Sequence, residues 1–249
     1  MEFARFVDQI AEQTAAMRRA AVAAGPDSDV PTCPKWTMRD LVRHLAKVQQ
    51  WAGRALLTDP EGESPHPDEP PADWEERLSW WDEQVGTLVD TLRKLGPEVP
   101  TWVFDPQSPY TAGFWARRQA HEVAIHRLDA EHALAGSAEP DAVPTLVYEP
   151  AFAADGIDEG LHVGVSRRAL REGVPVQGSV LFHAADAGQA WLVHLMPGAP
   201  LSIGAAEPGI DADASVVGTA DAVYRAVWGR PSTAVLGGEH ALIATLRAP

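Results

Sequence analysis

Apolar positions along the first half of the chain recur at helical spacing. Residues 2–23, EFARFVDQIAEQTAAMRRAAVA, contain no Gly or Pro and return to an apolar side chain at Phe3, Phe6, Ile10 and Ala11, which predicts an amphipathic helix. A second helix is predicted from WTMRDLVRHLAKVQQWAGRALL. Thr37 caps it, Asp40 follows three places later as in a capping box, and Leu41, Leu45, Val48 and Ala52 form its apolar stripe. A third helix is predicted from Asp73 to Leu95 and a fourth from Gly113 to Leu134, each preceded by a Pro-punctuated connection. Four long helices joined by loops meet the requirement of a four-helix bundle.

The pattern changes after LVYEPAFAADGIDEGLHVGVSRRAL, which reads as further helix. VPVQGSVLFHAAD, QAWLVHLMP, APLSIGAA and DASVVGT bunch or alternate apolar residues over short runs between Gly and Pro, the grammar of strands. TADAVYRAVWGR reads as a helix capped by Thr219, and HALIATLRA fits a strand or a helix. The expected fold class is therefore α+β in two domains. A helical domain covers residues 1–172 and a smaller α+β domain covers 173–249.

Composition narrows the partners. The 249 residues include 45% hydrophobic and 22% charged side chains, a balance suited to folded cores rather than disorder. A formal charge of −15 disfavours an extended phosphate-binding surface, so nucleic acid is not an expected partner. No run approaches the roughly 20 apolar residues that span a bilayer, and the start lacks an apolar leader core, so a cytoplasmic protein without membrane contact is expected. The only cysteine, Cys33, has neither a disulfide partner nor a CxxC companion, which leaves nitrogen and oxygen as metal donors. Between residues 59 and 76, eight carboxylates and five prolines with no Lys or Arg predict a solvated connection.

Candidate chemistry concentrates in RRQAHEVAIHRLDAEHA, residues 117–133. Residues four apart share a helix face, so Glu122 and His126 converge, Asp129 follows one turn on, and Arg118 lies one turn before. His121 is rotated away by about 100° and His132 sits at the tail. Glu122 and His126 supply two ligands, and His44, set among the apolar residues of DLVRHLAKV, is the best third donor. Three protein ligands leave a fourth position open, as catalytic zinc requires, although the same donors suit iron or nickel. The spacing equally serves a plain Arg118–Glu122 ion pair beside satisfied core histidines.

Together, CPKWTMRDLVRHLAKVQQWA and RRQAHEVAIHRLDAEHA resemble the mycothiol-dependent maleylpyruvate isomerase family. The resemblance continues through ADGIDEGL to DASVVGTADAVYRAVWGR, so it covers nearly the whole chain. It implies a DinB-like four-helix bundle followed by a small sterol-carrier-like α+β domain. It implies further a divalent metal, usually zinc, on His44, Glu122 and His126, with mycothiol as thiol cosubstrate. The acidic residue after the second histidine falls on Asp129, and the arginine of the Trp-Gly-Arg motif falls on Arg230. The implied chemistry is activation of mycothiol as a thiolate that adds to an electrophilic small molecule. Asp129 would accept a proton or orient a ligand, and Arg230 would pair with a carboxylate of mycothiol or substrate. Transfer to an unspecified electrophile is placed ahead of maleylpyruvate isomerisation. Two alternatives stay open: a metal-dependent hydrolase with Asp129 as general base, and a non-catalytic protein that binds a small molecule.

Overall fold

The computed structural model describes residues 1–248 and has the expected α+β architecture. It falls into two compact units, Met1–Ala138 and Glu139–Pro249.

The first unit is built from α1 (Phe3–Ala24), α2 (Met38–Ala55), α3 (Trp74–Leu95) and α4 (Ala112–Ala135). α2 starts where expected: the Thr37 backbone N–H donates to Asp40 at 3.0 Å. Asp73 caps α3 by accepting from the backbone N–H groups of Glu75 and Glu76. Around the bundle, α1 packs on α4, α4 on α2, α2 on α3 and α3 on α1, so the connections α1–α2 and α3–α4 run across its diagonals. The closest packing is between α1 and α4. Small side chains explain it: Ala16, Ala20 and Ala21 on α1 and Ala116, Ala120 and Ala124 on α4 are all buried. Met17, Met38, Leu41, Leu45, Leu78 and Trp81 fill the centre, and the Trp81 indole N–H is satisfied by Gln49 at 2.6 Å.

The connection after α2 departs from the expectation of a merely solvated segment. Arg43 and Lys47 both pair with Glu69, Arg54 pairs with Asp68, and Gln50 accepts from the Asp68 backbone at 2.6 Å. These partners recur at three-to-four spacing along one stripe of α2, so an acidic run without cations of its own is strapped to a basic helix face.

In the second unit, α5 (Pro150–Glu159), a π-helical segment (Gly160–Val165) and α6 (Ser166–Glu172) lead into a mixed five-stranded sheet. Its strands are β1 (Gly178–Ala184), β2 (Gln189–Leu195), β3 (Ser202–Ala205), β4 (Ala214–Gly218) and β5 (Val235–Gly238), in the order β3-β2-β1-β4-β5. β1 and β4 are parallel and every other pair is antiparallel. α7 (Ala220–Val227) crosses between β4 and β5, capped by Thr219, whose side chain accepts from the Ala222 N–H. HALIATLRA resolves as helix α8 (His240–Thr245), and β5 is a strand that the hydrophobic pattern did not announce.

The units divide after Ala138, well before the break expected near residue 173. Helical periodicity marks α5 as a helix but not its packing partner, and that partner is α7. Trp228 donates its indole N–H to Gly156 O at 3.0 Å, and Trp191 donates to Asp158 at 3.1 Å. Gly160 is needed where this packing is tightest: a Cβ there would lie 2.9 Å from both Trp228 Nε1 and Val227 Cγ1.

Candidate metal centre

α2 and α4 bring His44, Glu122 and His126 together, with one donor atom of each within 4.8 Å of the others. Glu122 Oε1 lies 3.1 Å from His44 Nε2 and 3.4 Å from His126 Nε2. Tetrahedral ligands about 2.0–2.1 Å from a zinc ion stand about 3.3 Å apart, so both separations suit one small divalent cation. The donor set, two imidazole nitrogens and a carboxylate oxygen, fits it as well.

Each ligand is held from behind. Arg118, one turn before Glu122, pairs with its Oε2 and leaves Oε1 to the two imidazoles. Asp129, fully buried, lies 2.9 Å from His126 Nδ1. A carboxylate only accepts, so Nδ1 carries the proton and Nε2 is turned to the Glu122 side. The remaining capacity of Asp129 is also used: Thr32 Oγ1 donates to Oδ1 at 2.6 Å and Cys33 Sγ to Oδ2 at 3.3 Å. Both donors come from the α1–α2 connection, which its own bonds brace, Val30 N–H to Trp36 O and Trp36 N–H to Cys33 O. Trp36 of the same loop sets its ring 5.1 Å from that of His44 and stacks 6.3 Å from that of His126.

The electrostatics match a cation site. Burial opposes the charge on Glu122, yet Arg118 and the hydrogen bonds from His126 and His44 hold its carboxyl well below the usual range. Burial likewise opposes a charged His126, but Asp129 and Glu122 outweigh it and raise the imidazole to about 9. Without metal, the protonated imidazole thus bridges the two carboxylates, with Nδ1–H toward Asp129 and Nε2–H toward Glu122. Access is one-sided: the His44 side chain is 34% exposed, against 11% for Glu122 and 9% for His126.

The other two histidines of α4 are engaged within the helical unit. His121 is buried with its ring edge-on to Phe6, and His132 Nδ1 donates to Ser137 O. Arg230 belongs to the second unit, where its backbone N–H meets Arg225 O and its guanidinium donates to Trp228 O at 2.7 Å. Helical spacing does not single out Thr32, Cys33 and Trp36 as supports of the site. Their signal in the sequence is the CPKWTMRD stretch, just before the capped start of α2, which carries the family resemblance.

A four-helix unit with a His/Glu/His cluster on two facing helices, followed in the chain by an α+β unit, defines a class of two-part proteins with a candidate metal centre in the helical part. Residues 7–131 match the family model described as the mycothiol maleylpyruvate isomerase N-terminal domain, and the chain belongs to that family. Two solved structures share the fold over 96% of this chain and 95% of theirs. One is a histidine-to-alanine mutant of the mycothiol-dependent maleylpyruvate isomerase (12% identity, TM-score 0.60). The other is the mycothiol-dependent maleylpyruvate isomerase (14% identity, TM-score 0.56). No curated protein matches the chain.

Proposed function

We propose that this protein is a metal-dependent thiol enzyme, an isomerase or S-transferase, that uses mycothiol at the His44, Glu122 and His126 site. The observation that carries the reading is the donor set itself, two imidazoles and a carboxylate within 4.8 Å, in a member of this family. A divalent cation bound there, which we take to be zinc, would supply the positive charge that stabilises a thiol as its thiolate at neutral pH.

The protein's own residues set up that chemistry. Glu122 offers Oε1 because Arg118 occupies Oε2, and His126 offers Nε2 because Asp129 holds Nδ1–H. The partly exposed His44 marks the side from which a thiol approaches. Addition of the thiolate to an electrophile gives the S-transfer product. Where the acceptor is an activated cis alkene, rotation about the new single bond and elimination return the thiol and the trans isomer. Arg230 is assigned to a carboxylate of mycothiol or acceptor.

Asp129 acts here as a positioning residue. A hydrolytic reading would ask it to deprotonate water, but it is buried and already accepts from His126, Thr32 and Cys33. Metal analysis of the purified protein and of its His44→Ala and His126→Ala variants tests the assignment. Near-stoichiometric divalent metal in the parent and its loss in both variants is expected, and undiminished metal in both would overturn it.

A further inference from the structure

The α4 face that carries Glu122 and His126 continues toward the helix start through Gln119 to Trp115, and the α2 face of His44 continues to Trp51. Trp51 lies seven residues beyond His44 and Trp115 seven before Glu122, so each stands about 10 Å from the cluster along its helix. The two indoles meet edge-to-face at 5.1 Å. Trp102 and Phe104, from the α3–α4 connection, complete a wall: Phe104 stacks on Trp51 at 5.5 Å and Trp102 packs on it at 5.7 Å. Trp51, Trp102 and Phe104 remain partly exposed and form the face a ligand would meet, with fully buried Trp115 as its backing. The wall is preorganised, because the Trp102 backbone N–H donates to Thr58 O in the turn just after α2 and Trp102 O accepts from the Trp115 indole at 2.7 Å.

Between wall and cluster sits Gln119, 1% exposed, whose Oε1 has no hydrogen-bond partner among the described residues. Thr101, beside Trp102 and fully buried, has an Oγ1 in the same condition. Buried amides and hydroxyls are nearly always paired; of the few orphaned atoms among the described residues, these two flank the same aromatic wall, where a ligand's donor would complete them. Arg118, the cation nearest along this face, is already committed to Glu122.

We infer that the Trp51, Trp102, Phe104 and Trp115 wall, with Gln119 as its polar anchor, is the acceptor subsite, and that it takes a planar aromatic or conjugated molecule bearing a hydrogen-bond donor rather than a small dicarboxylate. The inference rests on the thiol-enzyme reading for its role, but the binding it requires needs no thiol.

The experiment is calorimetric titration of the metal-loaded protein, without thiol, with 2-naphthol, its O-capped analogue 2-methoxynaphthalene, and maleate. The expected result is saturable binding of 2-naphthol, about fivefold tighter than its capped analogue, which is the worth of one neutral hydrogen bond. That preference disappears in Gln119→Leu, a variant with unchanged metal content and circular dichroism, and both naphthalenes weaken in Trp51→Ala. Equal binding of the two naphthalenes by the parent, a preference that survives in Gln119→Leu, or maleate as the tightest ligand would each overturn the inference. Loss of the subsite with metal and mycothiol binding intact leaves the thiol-enzyme reading standing, and the converse result leaves the subsite standing.

Discussion

Asp129 Oδ2 lies 2.9 Å from His126 Nδ1, on the opposite edge of the imidazole from Glu122. Because Thr32 and Cys33 also donate to this carboxylate, it is fixed before any ligand arrives. Asp129→Asn replaces an acceptor-only partner with one that presents an amide, and the ring loses the constraint on its tautomer. Metal affinity is expected to fall roughly 10- to 100-fold, as measured by competition with a chromophoric chelator. An unchanged affinity would remove Asp129 from the site.

Thr32 is the more distant support of the same arrangement. Thr32→Val keeps the shape and removes the donor to Asp129, whereas Thr32→Ser keeps the donor and gives up one methyl group. The valine variant should lose several-fold in metal affinity with little change in the unfolding temperature of the metal-free protein, and serine should restore it. Parallel loss of stability and affinity in both variants would mean that Thr32 merely packs.

The raised His126 sets a pH dependence with a definite sign. Metal must displace the Nε2 proton, so affinity should climb about tenfold per pH unit toward pH 9 and level off above it. The metal-free fold should behave in the opposite sense. His126 is raised from an ordinary 6.5 to about 9, so its contribution is complete below 6.5 and is lost as pH rises through 9. Thermal unfolding of metal-free and metal-loaded protein across this window checks both, and a metal-free unfolding temperature that rises toward pH 9 would contradict the assignment.

Arg118 neutralises Glu122 from the side away from the imidazoles. Arg118→Met should cost the metal-free protein about 2 kcal/mol, discounted from the full value of a buried pair because both side chains keep slight solvent contact. A bound dication compensates the same carboxylate, so the loss should be smaller in the metal-loaded form. Denaturant titration of both forms gives the comparison, and equal losses would argue against metal at Glu122.

The packing of α5 against α7 predicts how the chain can be cut. A fragment of residues 139–249 should unfold cooperatively, whereas residues 173–249 should not, because Trp228 and Trp191 lose the partners that Gly156 and Asp158 provide. Circular dichroism melting of the two fragments distinguishes them.

The four long helices were legible because their apolar residues recur every three or four places and because Thr37 and Asp73 stand where caps are needed. Glu122 and His126 were legible as a pair for the same reason, since a helix fixes its own neighbours. His44 is different: its 78-residue separation from Glu122 is closed by the bundle, and no periodicity encodes which helices adjoin. Thr32, Cys33 and Trp36 escape helical spacing altogether, because a loop reaching a helix from the far end of another leaves no repeating signal. The acidic connection has no cation of its own to reveal its contacts, because its partners, Arg43, Lys47 and Arg54, lie on α2. Short β5 ends in two glycines and is mostly exposed, so it lacks the apolar alternation that announces a strand.

Activation of mycothiol through a metal at the His44, Glu122 and His126 site is what we propose for this protein. Calorimetric titration of metal-loaded protein with mycothiol decides it. The expected result is saturable binding with proton release that disappears when the metal is chelated and returns when it is restored. Binding of equal strength with and without metal, or no binding by the fully loaded protein, would contradict it.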